Sequence, residues 1–294
     1  MDIIKHKNKF FILSFVVIVI GLFTMVSRGL NYGIDFTGGT MLQIDLGKEV
    51  SVNEIREIVD KIDKDADIIH VGDQKNEIMI KTKLDLDNNE RMDLFNEFKE
   101  KYGLKQETPE QSQTFQPAIG DEIQNKAILS ILIATIGMLI YITFRFEFKF
   151  GVAAVVALMH DVLVALAVYA LLRVPVNSSF VAAILTIVGY SINDTIVVFD
   201  RIRENTKLIK RGKYAELVNT SISQTIVRSI NTSFTTLLAI ACLYIFGVEA
   251  IKDFALPLIV GVLVGTYSSI FIASPVWYLL KKRSSGKNYK PKRV

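Results

Sequence analysis

The chain has few of the residues that build covalent or metal-dependent chemistry. Its 294 residues include one cysteine, Cys242, and three histidines. A disulfide within the chain and a zinc site made of cysteines are therefore excluded. The sequence also lacks a glycine-rich nucleotide loop, a cluster of metal-ligand residues and a nucleophile–base pattern. We therefore expect no enzymatic activity and no cofactor.

Long apolar segments, by contrast, are abundant. Half of the residues are hydrophobic, and about 20 consecutive apolar residues suffice to cross the hydrocarbon layer of a bilayer. Six segments meet that length: Phe10–Val26, Asn125–Phe144, Gly151–Leu172, Ser179–Phe199, Thr225–Phe246 and Ala255–Leu280. The first is longer than the apolar part of a signal peptide and lacks a small-residue cleavage site, so we expect it to be retained. The sequence predicts a polytopic α-helical membrane protein with six transmembrane helices.

The distribution of positive charge predicts the topology. Lysine and arginine gather before the first segment, after the second and fourth segments, and in the tail 281–294, which has no acidic residue. The positive-inside rule then places both termini in the cytoplasm. We divide the chain into residues 1–28 (N-terminus and first helix), 29–122 (extracytoplasmic domain), 123–280 (the other five helices) and 281–294 (cytoplasmic tail). Anionic membrane lipids are a simpler partner for this tail than nucleic acid, which we do not expect to bind.

Residues 29–122 are polar, with 21 acidic and 11 basic side chains. Alternating or extended patterns predict strands at Thr40–Leu46, Ala66–Val71, Glu77–Lys83 and residues 105–116. Helices are predicted at Ser51–Ile62, which begins with a capping-box pattern, and at Asn88–Tyr102. The order βαββαβ is that of a ferredoxin-like α+β domain. A binding or mechanical role fits this domain better than catalysis.

Asp194 is the most informative single residue, because it is a carboxylate inside the fourth apolar segment. Such a charge costs about 2.5–3.5 kcal/mol and usually marks ion or proton movement, or a buried salt bridge. Helical spacing predicts that Tyr190 and Ser191 share its face and offer it hydroxyl donors. Gly189 is predicted to let another helix approach closely, while Asn193 flanks the carboxylate and points into packing.

Two further intramembrane residues are candidates for the same site. Arg228 lies near the start of the fifth segment, at a depth comparable to Asp194 if the two helices are antiparallel neighbours. Asp161 follows His160 in the third segment, and adjacent side chains diverge by about 100° on a helix, so we expect that both cannot face one partner. Asp161 is thus a second candidate for a proton path, with hydrogen bonding between helices as the alternative.

Two motifs carry a family resemblance. The first is Gly33–Thr40 (GIDFTGGT), whose Gly33, Asp35, Gly38 and Gly39 lie between the first apolar segment and the α+β domain. The second is Gly189–Asn205 (GYSINDTIVVFDRIREN). Together with the six-helix plan, they resemble the SecF family, which belongs to the resistance-nodulation-division (RND) superfamily, over nearly the whole chain.

The resemblance implies a function in protein export. SecF proteins act with SecD beside the SecYEG channel in the bacterial cytoplasmic membrane, and use the proton-motive force to promote translocation of unfolded secreted polypeptides. It also implies that Asp194 and Arg228 form the proton relay, with protons as the coupling ion. One alternative is half of an RND-type exporter of small molecules or lipids. The other is an anchored binding protein whose helices are passive.

Overall fold

The computed structural model describes residues 2–72, 74–209, 212–247 and 249–287. The chain begins with helix α1 (Ile3–Arg28), which ends at Gly29. A single helical turn, α2 (Ile34–Thr37), follows and leads directly into the first strand. The GIDFTGGT motif therefore forms the connection between the first membrane helix and the polar domain.

The polar domain contains four strands and two helices in the predicted order. They are β1 (Gly39–Asp45), α3 (Val52–Val59), β2 (Asp67–Val71), β3 (Glu77–Thr82), α4 (Asn88–Tyr102) and β4 (Gln111–Phe115). The antiparallel sheet has the order β2-β3-β1-β4. Alternate residues of β3 are buried, as a strand with one face toward a core requires. Ile44, Ile55, Phe95 and Phe98 are completely buried between the sheet and the two helices.

Boundaries differ from the prediction by more than one residue at two places in this domain. Helix α3 ends at Val59 rather than Ile62, because the chain turns there with backbone hydrogen bonds from residues 60–63 back to 56–59. The last strand begins at Gln111 rather than at residue 105. Helix α4 is terminated as predicted by Gly103, which adopts a left-handed conformation with φ 66°, a conformation that glycine tolerates without strain.

Six helical segments of the described residues are long and apolar enough to cross a membrane. After α1 these are α5 (Pro117–Arg145), α6 (Phe148–Leu172), α7 (Ser178–Asn205), α8 (Tyr214–Phe246) and a sixth composite segment. The sixth consists of α9 (Glu249–Ser268), a π-helical turn (Ser269–Ala273) and α10 (Ser274–Lys287). Helix α10 continues past Leu280, so the first part of the predicted tail is helical. The rest of the basic tail, residues 288–294, lies outside the described residues.

The helices are buried to different degrees. About half of the apolar stretch is buried in α6, α7 and the sixth segment, but only a small part is buried in α1, α5 and α8. Trp277, Phe150 and Phe199 form a buried aromatic cluster near the start of α6, with the Trp277 and Phe150 ring centroids 4.9 Å apart. The inner helices therefore hold the core, and the outer helices expose apolar side chains.

The segment that precedes the polar domain is tied to the connection between α6 and α7. The Arg173 guanidinium donates to the carbonyls of Arg28 and Gly29 at 3.0 and 3.1 Å. Backbone hydrogen bonds join Val176 to Asn31 and Gly33 at 2.7 and 2.9 Å. We call residues 28–35 together with residues 173–178 the strap, since they join the base of the polar domain to the start of α7.

Candidate functional site

Asp194 is held in the interior by hydroxyl groups from two other helices. Its side chain is 3% exposed. The Ser233 hydroxyl of α8 donates to Asp194 Oδ2 at 3.2 Å, and the Thr266 hydroxyl of α9 lies 3.4 Å from the same oxygen. The two hydroxyl oxygens are 2.6 Å apart. The carboxyl group therefore lies where three helices meet, in contact with groups that carry no charge.

The donors predicted for Asp194 bind elsewhere, so that prediction was wrong. Tyr190 donates to the Thr236 hydroxyl at 3.2 Å, because its long side chain reaches α8. Ser191 donates to Asp161 Oδ2 at 2.6 Å, because α6 packs against that side of α7. Asn193 is exposed rather than packed. Helical spacing identified the shared face but not the neighbouring helix that each side chain reaches.

The close helix approach predicted at Gly189 was also wrong. A Cβ atom added at Gly189 would meet no other atom within 4 Å. The close approach to α7 is made by α9, where a Cβ at Gly261 would lie 2.2 Å from Ile187 and one at Gly265 would lie 2.9 Å from Ser191 Cβ. The signal in the sequence was the spacing G-x-x-x-G, which is typical of closely packed membrane helices.

Arg228 does not contact Asp194 in this structure. The side chain is exposed, and the hydrogen bonds and ion pairs of the described residues join Asp194 to Ser233 and Thr266 but not to Arg228. The reason is helical rotation. Arg228 precedes Ser233 by five residues, which places it about 140° away around α8. The predicted pair is therefore not assembled.

Asp161 lies in a second buried polar cluster and is 1% exposed. Its Oδ2 accepts hydrogen bonds from Ser191 at 2.6 Å and from Ser268 at 2.8 Å. Its Oδ1 lies 2.9 Å from His160 Nδ1. The expectation that the two could not face one partner was wrong, since His160 stacks on Tyr267 and Asp161 accepts from Ser268, and both of these residues belong to α9. Sequence reasoning named neither Ser268 nor the hydroxyl pair of Thr195 and Ser269, 2.8 Å apart.

The GIDFTGGT motif has a geometry that depends on its glycines. Gly38 and Gly39 have φ angles of 76° and 139°, which disfavour any residue with a Cβ. At Gly39 a Cβ would also lie 2.2 Å from the Thr82 carbonyl oxygen. Asp35 Oδ2 accepts a hydrogen bond from the backbone N–H of Ser178 at 2.9 Å. The motif thus turns the chain into β1 and satisfies a free N–H at the start of the helix that carries Asp194.

Two known protein families match parts of this chain. The family described as protein export membrane protein SecD/SecF, C-terminal, matches residues 96–283. The SecD/SecF GG motif matches residues 23–50. The chain belongs to the SecD/SecF family. It is a multi-pass membrane protein of the Sec protein-export pathway, as that family and the six apolar helices together indicate.

SecF proteins match along most of their length. The protein translocase subunit SecF of Thermodesulfovibrio yellowstonii is 42% identical over 97% of this chain and 96% of its own length. The subunit SecDF of Bacillus subtilis is 36% identical over 98% of this chain, which spans 39% of that longer protein. The crystal structure of SecDF, a translocon-associated membrane protein from Thermus thermophilus, is 38% identical, with a TM-score of 0.81 and the same coverage of 98% and 39%. In SecDF the segment similar to this chain is part of a longer polypeptide, which supports a SecD-type partner.

Proposed function

We propose that this chain is the SecF subunit of the Sec machinery and uses the proton-motive force, together with SecD, to promote translocation of unfolded secreted polypeptides through SecYEG. In this proposal it lies in the bacterial cytoplasmic membrane with both termini in the cytoplasm. Residues 29–122 form a ferredoxin-like extracytoplasmic domain with a binding or mechanical role. The chain is a transport subunit without a cofactor or an enzymatic reaction of its own.

The observation that supports proton coupling is the buried carboxyl group of Asp194. A charged carboxylate at this depth costs about 2.5–3.5 kcal/mol, and the hydroxyls of Ser233 and Thr266 bring no opposite charge. Binding of a proton removes the charge, and its release restores it. Each proton that crosses 100 mV supplies about 2.3 kcal/mol, a free energy similar to the cost of that charge.

Arg228 and Asp161 have roles in this proposal as well. Rotation of α8, or its shift along α7, would bring Arg228 toward Asp194 and stabilise the ionised form. The structure then corresponds to the state in which Asp194 is paired with hydroxyls only. Asp161 is a second proton-binding carboxyl group, placed between α6, α7 and the end of α9. Two carboxyl groups with separate partners allow protonation to change two helix contacts.

The decisive experiment replaces Asp194 and compares proton-driven export. The chain and its SecD-like partner are reconstituted with SecYEG, and secretion of a precursor is measured with and without a proton gradient. We expect Asp194→Asn to remove the stimulation by the gradient, because asparagine cannot bind and release a proton. Asp200→Asn is the matched control, since Asp200 lies on the same helix in a half-exposed pair with Arg203.

The control should retain gradient-dependent export. Insertion and folding of both variants are checked by the fluorescence of Trp277, the single tryptophan, which is buried in the helix core. A folded Asp194→Asn protein with full stimulation by the gradient would contradict the proposal.

A further inference from the structure

A chain of hydrogen bonds leads from Asp161 to the outer helix α1. Tyr267 donates to the Phe10 carbonyl at 3.0 Å, and Ser14 donates to the Tyr267 oxygen at 3.3 Å. His160 Nε2 lies 2.9 Å from the Ser14 oxygen. A carbonyl can only accept, and each hydroxyl has one proton to give. The Tyr267 proton is therefore directed to Phe10 and the Ser14 proton to Tyr267, so the Ser14 oxygen must accept from a proton on His160 Nε2.

The other side of the imidazole then holds a proton that it shares with a carboxyl group. His160 Nδ1 and Asp161 Oδ1 are 2.9 Å apart. With Nε2 protonated, this contact is a hydrogen bond only if one more proton lies between Nδ1 and Oδ1. The pair is either an imidazolium with a carboxylate or an imidazole with a carboxylic acid, and both forms are neutral overall. Both side chains are almost completely buried, an environment in which a neutral pair costs less than a net charge.

We propose that His160 is a proton carrier of the membrane domain that passes a proton between Asp161 and Ser14. This inference rests on the proposed function and names the group through which Asp161 would exchange its proton. In the release step the shared proton settles on Nδ1, and Asp161 remains a carboxylate. Nε2 gives its proton to the Ser14 oxygen, and Ser14 gives its former hydroxyl proton to a water molecule. The new Ser14 O–H then points to Nε2, which has become the acceptor, and one proton has left the pair.

An open groove of about 260 Å³ reaches the Ser14 end of this chain of hydrogen bonds. It lies between α1, α6 and α9, and its polar end is formed by Ser14, His160 and Tyr267. Its walls are apolar: Leu13, Val17, Val164, Leu263 and Val264. This volume exceeds what a single water needs, and the remaining lone pairs of the Ser14 and Tyr267 oxygens can accept hydrogen bonds from it. In the proposal, the water that receives the proton binds in this groove beside Ser14.

Few titratable or polar groups in the described part of the chain face the His160 imidazole. Among the described residues, the titratable groups that face His160 are Asp161 on its own helix and the Tyr267 phenol of α9, whose ring is stacked on the imidazole at 5.9 Å between centroids. From α1 it meets the Ser14 hydroxyl. Ser191 of α7 reaches only the far oxygen of Asp161. Protonation of His160 is thus coupled mainly to one carboxyl group, which is the arrangement that a proton relay requires.

The test observes the imidazole directly. The full chain with its SecD-like partner is labelled with ¹⁵N-histidine, reconstituted in lipid and studied by solid-state NMR between about pH 5 and about pH 9, a range in which histidine can titrate. The chain has three histidines, so His160→Gln identifies the signal of interest by its loss. We expect Nε2 to be protonated at low pH, and to be unprotonated at high pH, where the remaining proton of the ring lies on Nδ1.

Asp161→Asn is the control for this change. Its amide N–H₂ can donate to Nδ1 and should hold the proton on Nε2 over the whole pH range. A wild-type His160 that keeps one tautomer throughout would overturn the inference.

Export assays separate this inference from the proposed function. Ser14→Ala removes the outlet for the proton, and we expect gradient-stimulated export to fall at least about tenfold. Loss of a positioned proton-transfer group typically slows a reaction by about 100-fold or more, so tenfold is a conservative threshold. Ser27→Ala, at the exposed end of the same helix, should leave it unchanged. If Asp194→Asn abolishes stimulation while Ser14→Ala and His160→Gln do not, the relay through His160 is wrong and the proposed function stands. If Asp194→Asn keeps stimulation, the proposed function is wrong whatever His160 does.

Discussion

The packing of α9 on α7 can be tested with one pair of glycine substitutions. In Gly265→Ala the new methyl carbon would lie 2.9 Å from Ser191 Cβ and 3.3 Å from Ser191 Cα. Carbon atoms in contact are normally about 3.5–4.0 Å apart. The clash involves atoms close to the backbone, so it cannot be relieved by turning a flexible side chain. The two helices must separate by about 0.6 Å or more.

The expected cost follows from overpacking and from lost hydrogen bonds. Extra methyl groups in a packed core cost about 1–3 kcal/mol. Separation of the helices also lengthens the 2.6 Å bond from Ser191 and the 2.8 Å bond from Ser268 to Asp161, and a hydrogen bond between membrane helices is worth about 0.6 kcal/mol. We expect Gly265→Ala to lower the free energy of unfolding by about 1–4 kcal/mol relative to a glycine substitution without a clash.

Gly189→Ala provides that reference, because its Cβ would meet nothing within 4 Å. Both glycines lie inside membrane helices, so the change in helix propensity is common to both variants and cancels in their difference. Unfolding in detergent is followed by the fluorescence of Trp277, which is stacked on Phe150 in the core. Equal stability of the two variants, within about 0.5 kcal/mol, the usual range of a surface substitution, would show that α7 and α9 are not in close contact.

Two further predictions concern the polar domain and its connection. Gly39→Ala should lower the free energy of unfolding by about 1–3 kcal/mol more than Gly47→Ala does. Both glycines have positive φ, but only at Gly39 would a Cβ collide with a backbone carbonyl. Denaturation of the two variants measures the difference. Burial raises the pKa of Asp67 in the folded domain, so the folded state holds this proton more tightly than the unfolded state does. The domain therefore loses stability as the pH rises from the pKa of the unfolded state, about 3.9, through the higher pKa of the folded state. Asp67→Asn should therefore stabilise the domain at neutral pH and not at low pH, as measured by amide hydrogen exchange, with exposed Asp85→Asn as the control.

Local patterns in the sequence were sufficient for much of the fold. The alternation in β3 and the glycine at the end of α4 predicted those elements, because each depends on neighbouring residues only. The strand β4 was placed less well. The segment before it is polar and contains Pro109, so no period of two marks where pairing with β1 begins.

The site was predicted only in part, because depth in the membrane can be read from a sequence and rotation of a neighbouring helix cannot. Asp194 was found by its charge in an apolar segment. Its partners Ser233 and Thr266 carry no such signal, since serine and threonine occur in membrane helices for many reasons. Arg228 was predicted to face Asp194, but the face of α8 that meets α7 is set by packing of the whole bundle.

Asp35 and Asp194 are connected by the rigid axis of a single helix. Asp35 contacts the first N–H of α7 at Ser178, and Asp194 lies sixteen residues further on, about 24 Å along the helix. A force on the polar domain that displaces the strap by 1 Å along this axis would move Asp194 by nearly the same amount. Its hydrogen bonds to α8 and α9, at 3.2 and 3.4 Å, are already longer than the usual O–H···O distance and so offer little resistance to such a displacement. Helix α7 thus connects the base of the polar domain rigidly to the buried carboxyl group of Asp194.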